Sequence, residues 1–299
     1  MTTERSDLTD RVIPQMTLGD GSPGSLTAPP PPLPRDTPPA ARAQERFRVK
    51  GNAIVTGGAG DLGFAVCRAL LEHGLEGLMI LDMNPDEAEK KIKMLQSEFP
   101  ATIQFQKVDV TDEDAVNEAV ESTSKSLGPV TTLLNFAGMV ACGHALDWSS
   151  KDWNRVMNVN TIGAFLVARA VARTMIDHGS GGSIVFVASV SAHGVNFPQP
   201  QASYNVSKAG VKAMVKSLAA EWAVHGIRVN SISPGYMDTI LNEGDGLDEA
   251  RKVWLSRHPM GRMGQPDELS GVVVMLASRA GSYFTGADLL VDGGQSLLL

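Results

Sequence analysis

From Lys50 onward, short apolar runs rich in β-branched residues alternate with longer stretches of helical period. The runs fall at 53–56, 78–81, 103–108, 131–134, 184–187, 228–231 and 288–291, and the helical stretches near 62–73, 86–98, 112–126, 151–177, 203–224 and 267–278. A strand covered on both faces reads as a continuous apolar run, and a parallel connection needs a crossover long enough for a helix. The alternation therefore predicts an α/β fold over residues 49–299: a single Rossmann-type domain, its doubly wound, seven-stranded parallel sheet carrying helices on both faces. Residues 1–48 differ. They hold nine of the chain's 17 prolines, including the run Pro29 to Pro32, and show no amphipathic period. A disordered, Pro-rich N-terminal tail is expected there.

Composition narrows the function classes. The 299 residues carry a formal charge of −7, which disfavours a nucleic-acid binder, since phosphate contacts need a basic face. Two cysteines, Cys67 and Cys142, exclude a disulfide framework and a Cys-cluster metal site, so no metal is expected. No apolar run reads as a membrane span and no secretory h-region opens the chain, so a cytoplasmic protein without membrane partners is expected.

The first predicted strand runs into Thr56-Gly57-Gly58-Ala59-Gly60-Asp61-Leu62-Gly63, and a helix follows. Glycines let a backbone turn tightly and approach a pyrophosphate, and the helix N-terminus offers unpaired N–H groups. Gly58-x-Gly60-x-x-Gly63 matches the dinucleotide pattern in the strand–turn–helix context that it requires. The second strand ends at Asp82, where a carboxylate would accept from the adenosine ribose hydroxyls and repel a 2′-phosphate. No Arg or Lys lies in the glycine turn or just after Asp82. NAD is therefore expected as cofactor, with NADP the alternative.

Tyr204 and Lys208 open a helical stretch four residues apart, so they share one face. A neighbouring cation would lower the phenol's pKa from about 10 toward a useful acid/base. Ser189 ends the strand at 184–187 and could hold a substrate oxygen; Ser191 is the rival for that role.

Together these residues resemble the short-chain dehydrogenase/reductase family in its single-domain form. The likeness extends through Asp109 and Val110, the turn Asn135-Phe136-Ala137-Gly138, Asn160, the segment Ser233-Pro234-Gly235 to Thr239, and Asp292-Gly293-Gly294. It implies an NAD(P)(H)-dependent enzyme that interconverts a secondary alcohol and a ketone, with a small-molecule substrate. Tyr204 would be the acid/base, Lys208 would bind the nicotinamide ribose, Ser189 would orient the substrate oxygen and Asn160 would hold a relay water. Gly57, Gly58, Gly60, Asp61, Leu62, Gly63, Asp82, Asp109, Val110, Asn135, Ala137, Gly138, Pro234, Gly235, Met237 and Thr239 would join Tyr204 and Lys208 around the cofactor. The family also implies a homotetramer.

The stretch from Ser189 to Gln201, together with that from Ser231 to Thr239, resembles the fungal mannitol dehydrogenase and sorbose reductase branch, which implies a polyol or ketose. A biosynthetic carbonyl intermediate is the other expected substrate. His193 and Asn196, with Ser191, would then be substrate-pocket residues. Two positions depart from the family pattern: Asp61 stands where a glycine is usual, and Asp82 stands in a branch that usually takes NADP. The competing reading of the whole chain is a reductase-like fold that binds a dinucleotide in a non-redox or regulatory role.

Overall fold

The computed structural model describes residues 12–242 and 244–298. In chain order the elements are α1 (Pro39–Phe47), β1 (Asn52–Thr56), α2 (Asp61–Glu72), β2 (Gly77–Asp82), α3 (Pro85–Glu98), β3 (Thr102–Lys107), α4 (Glu113–Leu127) and β4 (Val130–Asn135). There follow α5 (Ser150–Met157), α6 (Ala164–Asp177), β5 (Gly182–Val187), α7 (Ala202–Trp222), β6 (Ile227–Pro234), α8 (Asp248–Ser256), α9 (Ser270–Ala277) and β7 (Asp288–Val291). All seven strands are parallel, in the order β3-β2-β1-β4-β5-β6-β7.

Alternation along each strand divides the core into two layers. Ile54, Met79, Leu133, Phe186 and Val229 face α4, α6 and α7. Ala53, Val55, Leu78, Leu134 and Val185 face α2, α3 and α9. Because both faces are covered, β1, β2 and β5 are apolar at their centres, whereas β6 buries Asn230 and Ser231. The strand order reverses between β1 and β4, and open α/β sheets bind ligands at such a switch, beyond the carboxyl ends of the strands. The glycine turn leaves β1 there, and Asn135 to Gly138 leave β4 beside it.

Four expectations from the sequence need correction. The stretch read as one helix over 151–177 is α5 and α6 joined by a π-helical turn, Asn158–Gly163. Such turns insert an extra residue and re-aim side chains, a feature that hydrophobic period does not report. The same stretch, Ser150–Asp177, is long and apolar enough to cross a membrane by length and composition; 56% of its most apolar window is buried inside the fold. The segment before Val49 contains a helix, α1, near the Arg279–Gly281 turn, and Arg279 donates to the carbonyls of Pro30 and Pro31. Its apolar positions are alanines and one exposed Phe47, which give little signal. Finally, the segment from Tyr236 to Arg262, whose Gly244, Gly246 and Gly261 make it the least regular part of the core by sequence and which is the substrate lid in the family it resembles, contains the helix α8.

Candidate active site

The phosphate cradle is built by steric exclusion. Gly57 adopts φ +66°, and a Cβ there would sit 2.6 Å from the Ala137 nitrogen. A Cβ on Gly63 would collide with the Gly57 carbonyl, and one on Gly58 with Ile80. Gly60 is the N-cap of α2 and offers no side-chain cap. The first-turn N–H groups of α2 therefore stay available for an anion, and the cradle fits a dinucleotide pyrophosphate. Gly57→Ala is expected to cost about 1–3 kcal/mol in fold stability through strain at this turn. NADH titration should show weakened binding; unchanged affinity would contradict the cradle.

Asp82 accepts the Ala59 N–H at 3.0 Å on one oxygen and the Asn84 N–H at 3.1 Å on the other. A carboxylate has about four acceptor positions, so two remain for ribose hydroxyls. The expectation of no basic side chain at the turn fails in space. Lys91, one helix later on α3, donates to the Ala59 carbonyl at 2.6 Å. It also lies 3.5 Å from Asp61 and 3.4 Å from Glu87, so two carboxylates share its charge. Asp61 meets Lys91 on one oxygen and accepts the Ile240 N–H at 3.2 Å on the other. Its carboxylate is thereby engaged beside the cradle by a cation and a lid amide, which moderates the repulsion expected of a carboxylate near a pyrophosphate.

Several expected cofactor residues act through less than their side chains. Asn135 directs its amide inward, to Thr56 and to the Ala164 carbonyl, and so ties β1 and β4 to α6. The Ala137 N–H is committed to the Thr56 hydroxyl at 3.1 Å. The Met237 side chain is buried in the core against Gly264. Only its backbone remains for a cofactor, so that side chain is withdrawn as a contact. Leu62 is partly buried against the core, Val110 is buried and Asp109 is exposed just after β3. Asp109 binds the Thr111 N–H and hydroxyl through one oxygen and keeps the other for a ligand. Pro234 ends β6, the Gly235 N–H donates to Val291, and Thr239 is buried at the lid's start.

On the catalytic side, Ser189, Tyr204 and Lys208 converge. Lys208 Nζ stands 5.7 Å from the centre of the Tyr204 ring and donates to the Val187 carbonyl at 2.8 Å. A Cβ on Gly138 would press on Asn160 Oδ1 at 3.3 Å and would only touch the lysine nitrogen, at 3.6 Å. Burial pulls the Lys208 ammonium down to about 8. Burial pushes the Tyr204 phenol up from its ordinary value, while the neighbouring Ser189 hydroxyl opposes the rise. This corrects the expectation that the lysine lowers the phenol's pKa in the chain by itself. The Lys208 charge is bonded to Val187 rather than to the phenol, and both groups are desolvated.

The two serines are distinguished by their partners. Ser189 is the one close enough to act on Tyr204, and its hydroxyl donates to Ser191 at 3.1 Å. Ser191 receives the Gln201 amide at 3.2 Å and stands behind Ser189. Asn160, in the π turn, accepts the Met139 N–H at 2.8 Å and donates to the Met139 carbonyl and to Ser207. It fixes the loop after β4 against α7.

His193 is not brought to this group. Its Nε2 lies 2.7 Å from Asp288 and 3.2 Å from Ser233, and Lys212 donates to its Nδ1 at 3.0 Å. The ring is held at the β6–β7 edge, which removes it from the expected pocket residues. Asn196 does reach the pocket wall, where it donates to Tyr236. Tyr236 and Lys91 are positions at the site that the sequence reading missed, since each reaches it only through folding.

A dinucleotide cradle at the sheet's switch point, facing a Ser–Tyr–Lys group, defines a nicotinamide-dependent oxidoreductase. Comparison with known proteins agrees. The family model described as enoyl-(acyl carrier protein) reductase matches residues 57–296. NADP-dependent mannitol dehydrogenase of Hypocrea jecorina is 38% identical over 266 residues, covering 88% of this chain and 98% of that protein. The ribulose-forming D-arabinitol 2-dehydrogenase of Scheffersomyces stipitis is 38% identical over 270 residues, covering 85% and 97%. The structure of a gluconate 5-dehydrogenase from Burkholderia cenocepacia, in complex with NADP and tartrate, superposes with TM-score 0.79 at 33% identity, covering 86% and 100%. The chain belongs to the short-chain dehydrogenase/reductase family. It is an NAD(P)-dependent oxidoreductase that interconverts a secondary alcohol and a ketone.

Proposed function

We propose that the protein interconverts a polyol and its ketose with NAD(H), and that Tyr204 carries the proton. The observation that carries the chemistry is the convergence of Ser189, Tyr204 and Lys208 beside the glycine cradle. A nicotinamide cofactor supplies hydride exchange at the substrate carbon when bound. The residues of the chain do the rest. Ser189 donates to the substrate oxygen and fixes its approach. Tyr204 passes its phenolic proton to that oxygen in reduction and takes it back in oxidation. Lys208 is placed to hold the nicotinamide ribose and to present its charge to the phenolate as it forms. Rigid elements, β5 and α7, hold these groups, so orientation is set before the substrate arrives. The polyol substrate is supported by the mannitol and arabinitol dehydrogenases at 38% identity.

A raised Tyr204 pKa makes the phenol a proton donor near neutrality. Ketone reduction is therefore expected to be faster near neutral pH, and alcohol oxidation to gain as pH rises. Profiles of kcat/KM in both directions test this. Profiles that are flat, or that slope the opposite way, would contradict Tyr204 as the proton carrier.

Asp82 supports NAD over NADP, because its two free acceptor positions suit ribose hydroxyls and its charge opposes a 2′-phosphate. Lys91, the cation that donates into the turn, is already shared by Asp61 and Glu87. The NADP dependence of the mannitol dehydrogenase relative is the observation on the other side. Asp82→Ala is expected to weaken NADH binding by about tenfold or more and NADPH binding far less, from the loss of charge-assisted hydrogen bonds. Parallel fluorescence titrations decide; a wild-type protein that binds NADPH more tightly would assign it the other cofactor.

Self-association is supported by the apolar surface at the sheet's free edge. Tyr283 and Leu290 are exposed beside and on β7, and Phe284 is partly so. A homotetramer is the expected state; a monomer by sedimentation would exclude it.

A further inference from the structure

Tyr236 follows Pro234-Gly235 and begins the lid, and its partly exposed ring is held from several sides. It stacks on Trp254 with ring centres 4.2 Å apart and planes 13° from parallel. Its hydroxyl oxygen receives two amide donors, Asn196 Nδ2 at 3.0 Å and Gln199 Nε2 at 2.7 Å. The orientation of Gln199 is fixed by a third group. Trp254 Nε1 donates to Gln199 Oε1 at 2.9 Å, and an indole N–H can only donate. The amide nitrogen of Gln199 must therefore face the phenol. With two donors directed at its oxygen, Tyr236 has only its proton left to offer.

Asn196 strengthens the point. It is more than nine-tenths buried, and its Oδ1 has no hydrogen-bond partner among the described residues. The side-chain bond that the amide makes is the one to Tyr236. The phenol also lies near the chemistry: Gln199, which donates to it, also donates to Gln201 at 3.2 Å, and Gln201 donates to Ser191, the partner of Ser189.

We propose that the Tyr236 hydroxyl is a specificity-determining donor that binds a second substrate oxygen next to the reacting carbon. Asn196 and Gln199 are positioning residues that direct its proton to that oxygen. The site thereby selects α-hydroxyketones and vicinal diols over simple ketones and alcohols. This inference rests on the reading of Tyr204 as the proton carrier, because that reading places the reacting oxygen.

Acetoin and butanone share one carbon skeleton and differ by a hydroxyl next to the carbonyl. The wild-type protein is expected to reduce acetoin with a kcat/KM about tenfold above that for butanone, the worth of one such hydrogen bond. Tyr236→Phe keeps the stack on Trp254 and removes only the donor. It should erase the preference by lowering acetoin turnover while leaving butanone within about twofold, since butanone makes no such bond. A loss on both substrates alike, a preference that survives in the variant, or no preference in the wild type would overturn the proposal. A second arm needs no turnover. Acetoin binding to the NADH complex of Tyr204→Phe is compared with binding to that of Tyr204→Phe/Tyr236→Phe, by change in NADH fluorescence. About tenfold weaker binding in the double variant supports the subsite, and equal binding overturns it. If the wild type reduces neither compound, the Tyr204 reading is decided by the ketose assay, and this arm decides the subsite.

Discussion

Replacing Tyr204 with Phe is expected to reduce turnover by about a thousandfold or more while NADH binding stays within a few-fold, the span typical of a lost general acid. The phenyl ring is retained, so the substitution removes one hydroxyl and little packing. No other titratable side chain in the group substitutes for it: Ser189 has no accessible ionisation, and Lys208 is bonded to Val187. Steady-state rates and NADH titration on the same preparation make the comparison. Turnover within tenfold of wild type would remove Tyr204 from the mechanism. Loss of NADH binding would instead assign it a structural role.

Lys208→Met is expected to do two opposite things. Activity should fall by about a hundredfold or more, because the charge that stabilises a forming phenolate is lost. Stability should rise. The lysine's pKa falls from about 10.5 unfolded to about 8 folded, because burial disfavours its charge. In the window between those values the unfolded chain holds the extra proton, so wild-type stability increases as pH climbs through it. Below about pH 8 the whole cost is present, at most about 3 kcal/mol, less what the lost bond to Val187 contributes. At neutral pH the methionine variant should therefore melt higher than the wild type, and the gap should close in alkali. Thermal unfolding across pH measures this. A variant that melts lower at pH 7 and higher in alkali would reverse the sign and place the lysine's charge among the stabilising interactions. The wider point is that this site accepts a buried cation for the sake of catalysis.

Much of this was legible in the sequence because it depends on local pattern. Continuous apolar runs such as 78–81 and 184–187 can only be strands buried on both faces, and six helical stretches between them force parallel crossovers. The glycine turn was equally plain, since Gly57 and Gly63 stand where side chains would collide with backbone. The misreadings have a common physical origin in contacts between distant segments. Lys91 reaches the turn because α3 packs beside α2, and His193 leaves the pocket because Asp288 and Lys212 bind it from β7 and α7. Tyr236 became part of the site only once Asn196, Gln199 and Trp254 closed around it. The π turn at Asn158–Gly163 has no signature in hydrophobic period, because its extra residue is accommodated within one turn of an otherwise regular helix. Helix α1 escaped notice for a simpler reason: alanine and arginine favour a helix but carry little apolar pattern.

The most direct test of the central claim is the rate of NADH oxidation, followed by its absorbance, on mixing the protein with a ketose such as D-fructose or D-ribulose. The account predicts ketose-dependent loss of NADH in the wild type, formation of the matching polyol, and no reaction with Tyr204→Phe. Loss of NADH that continues undiminished in that variant, or a wild-type protein that binds NADH yet reduces neither sugar nor acetoin, would contradict it.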